Sequence, residues 1–204
     1  MPTLLMRLRG PMMSWGDHSR FTIRDSRREP TKSAVIGLLC SALGRPRWES
    51  VTDLTVLKMG VRVNQEGVLL WDYHTVQEVV YATGKGDSTV LSNRYYVADG
   101  DYLVGLEGED VTFLSQLDQA LRTPVWQLYL GRKSFVPSKP VAAGVVDAPL
   151  SEALRSYPHD QGSTRLRYVL ETPDSLDVRQ DVPVSWQKRL FGSRCVHTDY
   201  WEVG

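Results

Sequence analysis

The segment from Thr31 to Leu43 limits the possible folds more than any other part of this chain. Val35, Leu38, Leu39 and Ala42 recur at helical spacing, and Ile36, Cys40 and Leu43 form a second apolar stripe. A helix with two apolar stripes has to be buried on most sides, so it belongs inside a layered core. Thr31 is placed to cap it, and Gly44 with Pro46 ends it. The residues ahead of it, from Gly10 to Pro30, are rich in Arg, Gly and Pro and carry Arg20, Arg24, Arg27 and Arg28. The chain has a formal net charge of zero, so this cluster is not a by-product of general basicity. A helix N-terminus presents unpaired N–H groups and a partial positive charge. With the arginines, Lys32 and Ser33 added, the segment reads as a phosphate-binding surface. The plain alternative is that Thr31 only caps the helix.

Charge is unevenly distributed. Residues 1–50 hold nine Lys/Arg against four Asp/Glu, residues 101–120 hold five acids and no base, and residues 121–150 hold four bases against one acid. Two basic segments flanking an acidic one are expected if separate loops converge on a polyanion. Scattered solvated charge is the alternative. The length of 204 residues allows one compact domain or two small ones. There is no apolar run of about 18 residues or more, so no membrane span is expected. The N-terminus lacks the pattern of a signal peptide. Cys40 and Cys195 read as reduced thiols, which points to a cytoplasmic location. Four scattered histidines and two cysteines show no metal-ligand spacing. No long Gly-rich phosphate loop or dinucleotide fingerprint occurs. Neither a metal nor a cofactor is expected.

Along the chain, Leu4, Met6 and Leu8 alternate with Leu5, Arg7 and Arg9, a strand with one wetter, basic face. Leu57, Met59, Val61 and Val63 alternate with Lys58, Gly60, Arg62 and Asn64. This is the clearest strand, and its basic, solvent-ready face offers Arg62 as a phosphate or base contact, or simply as a solvated residue. A β-rich run from Val68 to Ala82, a Gly-rich turn from Thr83 to Ser88 and a returning strand from Asn93 to Val97 predict a hairpin arm. Tyr102 to Leu106 is predicted as a strand and Phe113 to Leu121 as a helix. Trp126 to Val136 and Val141 to Val146 are predicted as further strands. The order is βαββαβ, an α+β pattern of the ferredoxin-like or RNA-recognition type. These elements span residues 1–147, with the hairpin arm at about 66–98. Residues 148–204 form a small C-terminal β extension, with strand-like Leu166 to Leu170 and a second small sheet expected.

Several residues are suited to hold a single nucleic-acid strand. Gly131 lets backbone come close, Arg132 and Lys133 bring charge, and Ser134 brings a small donor. An ordinary solvated turn is the alternative. The arm carries Trp71, Tyr73, His74 and Thr75, and RNA is held by stacking and by phosphate and 2′-OH contacts. Trp71 reads as packing, and His74 as a contact to RNA or to a neighbouring subunit. Arg94 lies at the arm's base. Trp15, between Ser14 and Gly16, either stacks on a base or anchors its loop, with anchoring favoured.

Five strings occur in order: Gly10-Pro-Met-Met-Ser-Trp15-Gly16, Pro30-Thr-Lys-Ser33 opening the helix, Asp72-Tyr-His-Thr-Val76, Arg94-Tyr-Tyr-Val-Ala-Asp99 and Tyr129-Leu-Gly-Arg-Lys-Ser134. Together they resemble the CasD family of CRISPR-associated proteins over roughly residues 1–147. Ala34 and Phe135 stand where relatives often have Gly and Cys. The resemblance implies a ferredoxin-like core with a β-hairpin thumb, in a subunit of the type I-E Cascade complex. It implies binding of the single-stranded 5′ handle of CRISPR RNA (crRNA). It also implies contacts with the adjacent backbone subunit and the large PAM-reading subunit, with target DNA reached only through the complex. The residues expected to touch RNA are then Ser14, Trp15, Arg20, Arg24, Arg27, Lys32, Ser33, Arg62, His74, Thr75, Arg94, Gly131, Arg132, Lys133 and Ser134. The resemblance also implies no RNA cutting, since that falls to a different subunit in type I-E, and with no second histidine close in sequence to His74 no catalytic residue is assigned. Members in another CRISPR subtype do process precursor RNA. A metal-independent endoribonuclease is therefore the rival reading. It would need a base and an acid or cation. His74 or His18 with Tyr73, and Lys32 or Lys133, are the candidates.

Overall fold

The computed structural model describes residues 1–17, 22–81, 83–84, 86–159 and 165–202. The elements are β1 (Thr3–Met13), β2 (Ile23–Arg24), α1 (Lys32–Leu43), α2 (Thr52–Thr55), β3 (Lys58–Gln65), β4 (Val68–Val80), β5 (Asp87–Glu107), α3 (Val111–Arg122), β6 (Ala142–Val146), α4 (Leu150–Ser156), β7 (Arg165–Glu171), β8 (Asp177–Ser185) and β9 (Leu190–Glu202). The main sheet runs β6-β1-β5-β3-β7-β9-β8. Every pairing along that path is antiparallel. The architecture is therefore α+β, with a largely antiparallel sheet. Among the described residues no helix is long and apolar enough to cross a membrane.

Local chemistry sets the helix ends. Thr31 Oγ1 accepts the Ala34 N–H at 3.3 Å, and Gly44 closes α1 in the left-handed conformation at φ +71°. Asp110 caps α3 by accepting the N–H groups of Thr112 and Phe113. Helices α1 and α3 cover one face of the sheet, where Leu4, Met6 and Leu8 meet Ile36, Leu39, Leu114 and Leu117. Helix α4 covers the other face through Leu150, Ala153 and Leu154, packed with Leu5, Leu103 and Tyr168.

The second covered face corrects an expectation. The basic side of β3 is exposed at Lys58 but not at Arg62, which is 0 % exposed. Its guanidinium donates to the carbonyls of Leu154 and Tyr157 at 2.7 Å each and of Pro158 at 3.2 Å, and to Asn64 Oδ1 at 2.8 Å. Arg62 therefore satisfies orphan carbonyls at the end of α4, where a cation is also favoured by the helix dipole. Arg7 and Arg9 likewise turn to the buried Asp101 carboxylate, at 2.9 and 3.6 Å. The sequence signal for α4 is the spacing of Leu150, Ala153 and Leu154 after Pro149.

Helix α4 comes close because two register partners, Gly60 and Gly105, lack side chains. A Cβ on Gly105 would lie 2.6 Å from Leu150, and one on Gly60 would lie 2.9 Å from Leu154. The C-terminal strands continue this same sheet, because β7 pairs with the outer edge of β3. Among the described residues the separate second sheet expected there does not form, and the pairing satisfies an edge that would otherwise be open.

The arm is β4 paired with the outer half of β5. Strand β5 runs through 21 residues, so the two strands predicted at Asn93 to Val97 and Tyr102 to Leu106 are one. Gly67, at φ +69°, marks where the arm leaves the core, since a Cβ there would lie 2.5 Å from the Ala98 carbonyl. Trp126 to Val136 is an irregular loop and not the predicted strand. The loop closes on itself through Leu130 N–H to Phe135 O at 2.7 Å and Phe135 N–H to Arg132 O at 2.9 Å. Buried Leu128, Leu130 and Phe135 anchor it. Strand β6 pairs with β1 only over Thr3–Met6, and beyond it the chain meets β1 through isolated bonds, Ser138 N–H to Arg9 O at 2.8 Å and Ser14 N–H to Leu130 O at 3.0 Å.

Replacing Gly105 with Val should overpack the α4 face and cost about 1–3 kcal/mol. Urea unfolding should show a lower midpoint with an unchanged slope. An unchanged midpoint would mean that α4 is not held at this distance.

Candidate nucleic-acid interface

Three separate segments are stitched together at one carbonyl. Tyr95 O, at the arm's base, accepts from Ser14 Oγ at 3.2 Å and from Arg132 Nη2 at 2.8 Å. Ser14 N–H in turn donates to Leu130 O at 3.0 Å. Gly131 makes this contact possible: at φ +88°, a Cβ there would lie 1.9 Å from the Ser14 carbonyl oxygen. The close approach anticipated for Gly131 is thus to the β1 loop.

Beside this junction lies an open cleft of about 610 Å³. Its lining includes Ser14, Arg24, Ser33, Arg94, Gly131 and Arg132, all singled out from sequence. Strand β2 positions Arg24 by pairing it directly with Arg94. Arg94 Nε donates to Ser92 Oγ at 3.1 Å, and the Arg132 guanidinium sits 5.2 Å over the Phe135 ring. Burial first, and then the charge of Arg94, press the Arg132 guanidinium below its ordinary pKa. Asp72, the register partner of Arg94, works against that, but three guanidinium groups on one cleft still favour an anion there. Asp25 is the one acidic residue among the described lining residues. The floor is the α1 surface at Ala34, Gly37 and Ser41, and Trp186 and Phe191 complete the wall.

Other predicted residues fall elsewhere. Lys32 is 1 % exposed, and its ammonium lies 3.0 Å from both carboxylate oxygens of Glu171. Its backbone N–H donates to Asp181 Oδ2 at 2.8 Å. The position at the α1 N-terminus expected for phosphate is therefore taken by the protein's own carboxylate. Arg194 holds that carboxylate from the other side with bonds of 2.7 and 2.8 Å. Burial presses the Lys32 ammonium below its ordinary value, while Glu171 works against that. Trp15 is 1 % exposed and packs edge-to-face on Tyr102 at 6.2 Å, so it anchors the loop and has no face for a base. Arg27 pairs with Asp17, and its N–H donates to Trp15 O at 3.0 Å. Arg62 is consumed at α4.

Lys133 and Ser134 are exposed at the loop tip but do not line the cleft. His74 and Thr75 are exposed on the arm, where His74 Nε2 lies 2.5 Å from Asp72 Oδ2. Arg20, with His18, lies outside the described residues. The sequence reading missed Trp186 and Phe191. The turn between β8 and β9 carries no Asn-Gly or Asp-Gly signal, and Arg189 supplies its left-handed residue at φ +52°.

The comparisons with known proteins agree with one another. The family model of the CRISPR-associated protein (Cas_Cas5) matches residues 3–197. The CRISPR system Cascade subunit CasD of Escherichia coli (strain K12) is 31 % identical over 210 aligned positions, which cover 94 % of this chain and 92 % of that protein. A solved structure described as "Crystal structure of Cas protein" superposes with a TM-score of 0.82 at 42 % identity, covering 98 % of this chain and 95 % of that one. A chain of a "CRISPR RNA-guided surveillance complex" superposes with a TM-score of 0.85 at 33 % identity, covering 98 % and 90 %.

The buried anchor at α1 has a pH signature. Burial alone would raise the Asp181 carboxyl, but the Arg194 hydrogen bonds and charge and the Lys32 N–H outweigh it and hold it below the usual range. A carboxylate depressed in the folded state stabilises fully above the unfolded value of about 3.9, and that stability is lost as pH falls through the folded value. Asp181→Asn should therefore lower the urea midpoint at pH 7, with the gap to the unsubstituted protein closing below about pH 4. A gap that stays constant across that range would remove the carboxylate from its assigned place.

Proposed function

The chain belongs to the CRISPR-associated Cas5 family, and on that premise we propose that it is a non-catalytic subunit of a Cascade surveillance complex that holds the 5′ handle of CRISPR RNA. The observation that carries this reading is the convergence of Arg24, Arg94 and Arg132 with the Ser14 and Ser33 hydroxyls on one open cleft. A guide strand has to enter and leave, so an open groove suits it better than an enclosed pocket. Neutralised phosphates would supply most of the affinity, and splayed base edges would supply selectivity.

The order β1-α1-β3-β5-α3-β6, with those strands neighbouring as β6-β1-β5-β3, supports a ferredoxin-like core within residues 1–147. On this reading the arm, about 66–98, is its thumb, and residues 148–204 are an extension packed on the core. The arm exposes Leu70, Trp71, Tyr73 and Val76. An apolar projection of that kind suits burial against other subunits, here the adjacent backbone subunit and the large PAM-reading subunit. Target DNA would be reached only through the assembled complex, in the cytoplasm. His74, one of the two candidate bases for RNA cleavage, faces Asp72 on the arm and does not line the cleft, which favours holding over cutting.

The full chain incubated with its cognate repeat RNA in excess EDTA should bind without cleaving. Specific cleavage that disappears with a 2′-deoxy substrate would sink the non-catalytic reading. Arg94→Ala and Arg132→Ala should each weaken handle binding and reduce the slope of log affinity against log salt by about 0.7. Lys32→Ala should lower stability and leave that slope unchanged. A flattened slope in Lys32→Ala alone would move the phosphate site back to the helix terminus.

A further inference from the structure

The C-terminal hairpin β8–β9 reaches the cleft from outside the segment that carries the sequence motifs. Its root is fixed by Asp181 and Arg194, and its far end places Trp186 and Phe191 in the cleft wall. The two rings meet edge-to-face, with centroids 6.0 Å apart and planes at 79°. Trp186 is committed to packing: its ring lies over α1 at Gly37, where an added Cβ would sit 3.9 Å away. Phe191 remains 45 % exposed, although it has Trp186 at hand to cover it.

Lone exposed apolar residues need no explanation. This one shares its cleft with Arg24, Arg94 and Arg132. An apolar π-face among guanidinium groups matches the two halves of a nucleotide, a flat base and an anionic backbone. The turn behind it, with exposed Lys188 and Arg189, adds charge of the same sign.

We propose that Phe191, backed by Trp186, is the platform on which one base of the bound RNA strand stacks. This rests on the RNA-holding reading above and gives it a register-setting contact supplied by the C-terminal hairpin. Stacking does not depend on which base is present, so the platform fixes where the strand sits and leaves base identity to edge contacts.

The test is a binding titration of the full chain with its cognate handle RNA, and with a series in which one base at a time is replaced by an abasic ribose. Phe191→Leu, which keeps apolar volume against Trp186 but has no π-face, should weaken binding of intact RNA by about five- to a hundredfold. Phe191→Tyr should retain binding. The salt slope should not change in either variant. At one abasic position the difference between Phe191→Leu and the unsubstituted protein should vanish. Equal binding by Phe191→Leu and the unsubstituted protein would overturn the platform, as would a loss of the same size at every abasic position. If the platform alone is wrong, Arg94→Ala and Arg132→Ala still flatten the salt slope. If the RNA-holding reading is wrong, they do not.

Discussion

A carboxylate from the far end of the chain sits on the N-terminus of the first long helix. Asp181 accepts the Lys32 N–H at 2.8 Å while Arg194 grips both of its oxygens. Glu171 doubles the attachment by taking the Lys32 ammonium and, at 3.1 Å, the Met59 N–H of β3. Glu29, just ahead of the helix, accepts from Arg167 at 3.1 Å and Arg179 at 2.8 Å. These bonds dock the C-terminal strands against α1, and that docking brings Trp186 and Phe191 to the cleft. Removing one partner from a buried pair leaves an uncompensated charge and costs about 3–5 kcal/mol. The cleft's shape is therefore coupled to ion pairs that do not line it.

The same economy of charge recurs through the molecule. Helix α1 meets Asp181, α3 meets its own Asp110, and the first N–H of α4 donates to Glu107 at 2.6 Å. Cations are used in the matching way, with Arg62 at the end of α4 and Arg7 at Asp101. A chain with no net charge thus spends much of its basic complement internally. Arg24, Arg94 and Arg132 line the cleft with Asp25, and Asp72 lies across from Arg94 in the strand register and acts on Arg132, so among these described residues three cations face two acids and the local field is positive.

What the sequence made legible was local. The two apolar stripes of α1, its Thr31 and Gly44 ends, the arm and helix α3 all follow from spacing over a few residues. Six of the cleft residues were also readable, because Arg, Ser and Gly stand out in the short strings at the ends of those elements and at the base of the arm. Distance in sequence hid the rest. The bonds of Lys32 to Glu171 and Asp181 span 139 and 149 residues, so nothing near Lys32 marks it as buried. Arg62 looks solvent-facing until α4, more than 90 residues later, covers it. Helix α4 itself is only seven residues long, so Leu150, Ala153 and Leu154 give a single helical repeat as its whole signal. Phe191 had no motif around it, and only the fold brings it to the arginines.

The most direct measurement is photo-crosslinking of handle RNA carrying 4-thiouridine at successive positions, with the crosslinked peptides mapped by mass spectrometry. If the cleft holds the strand, crosslinks will fall in the peptides containing Ser14, Arg94 and Arg132 and, at one RNA position, in that containing Phe191. Crosslinks confined to the α4 face, with none in those peptides, would contradict the account.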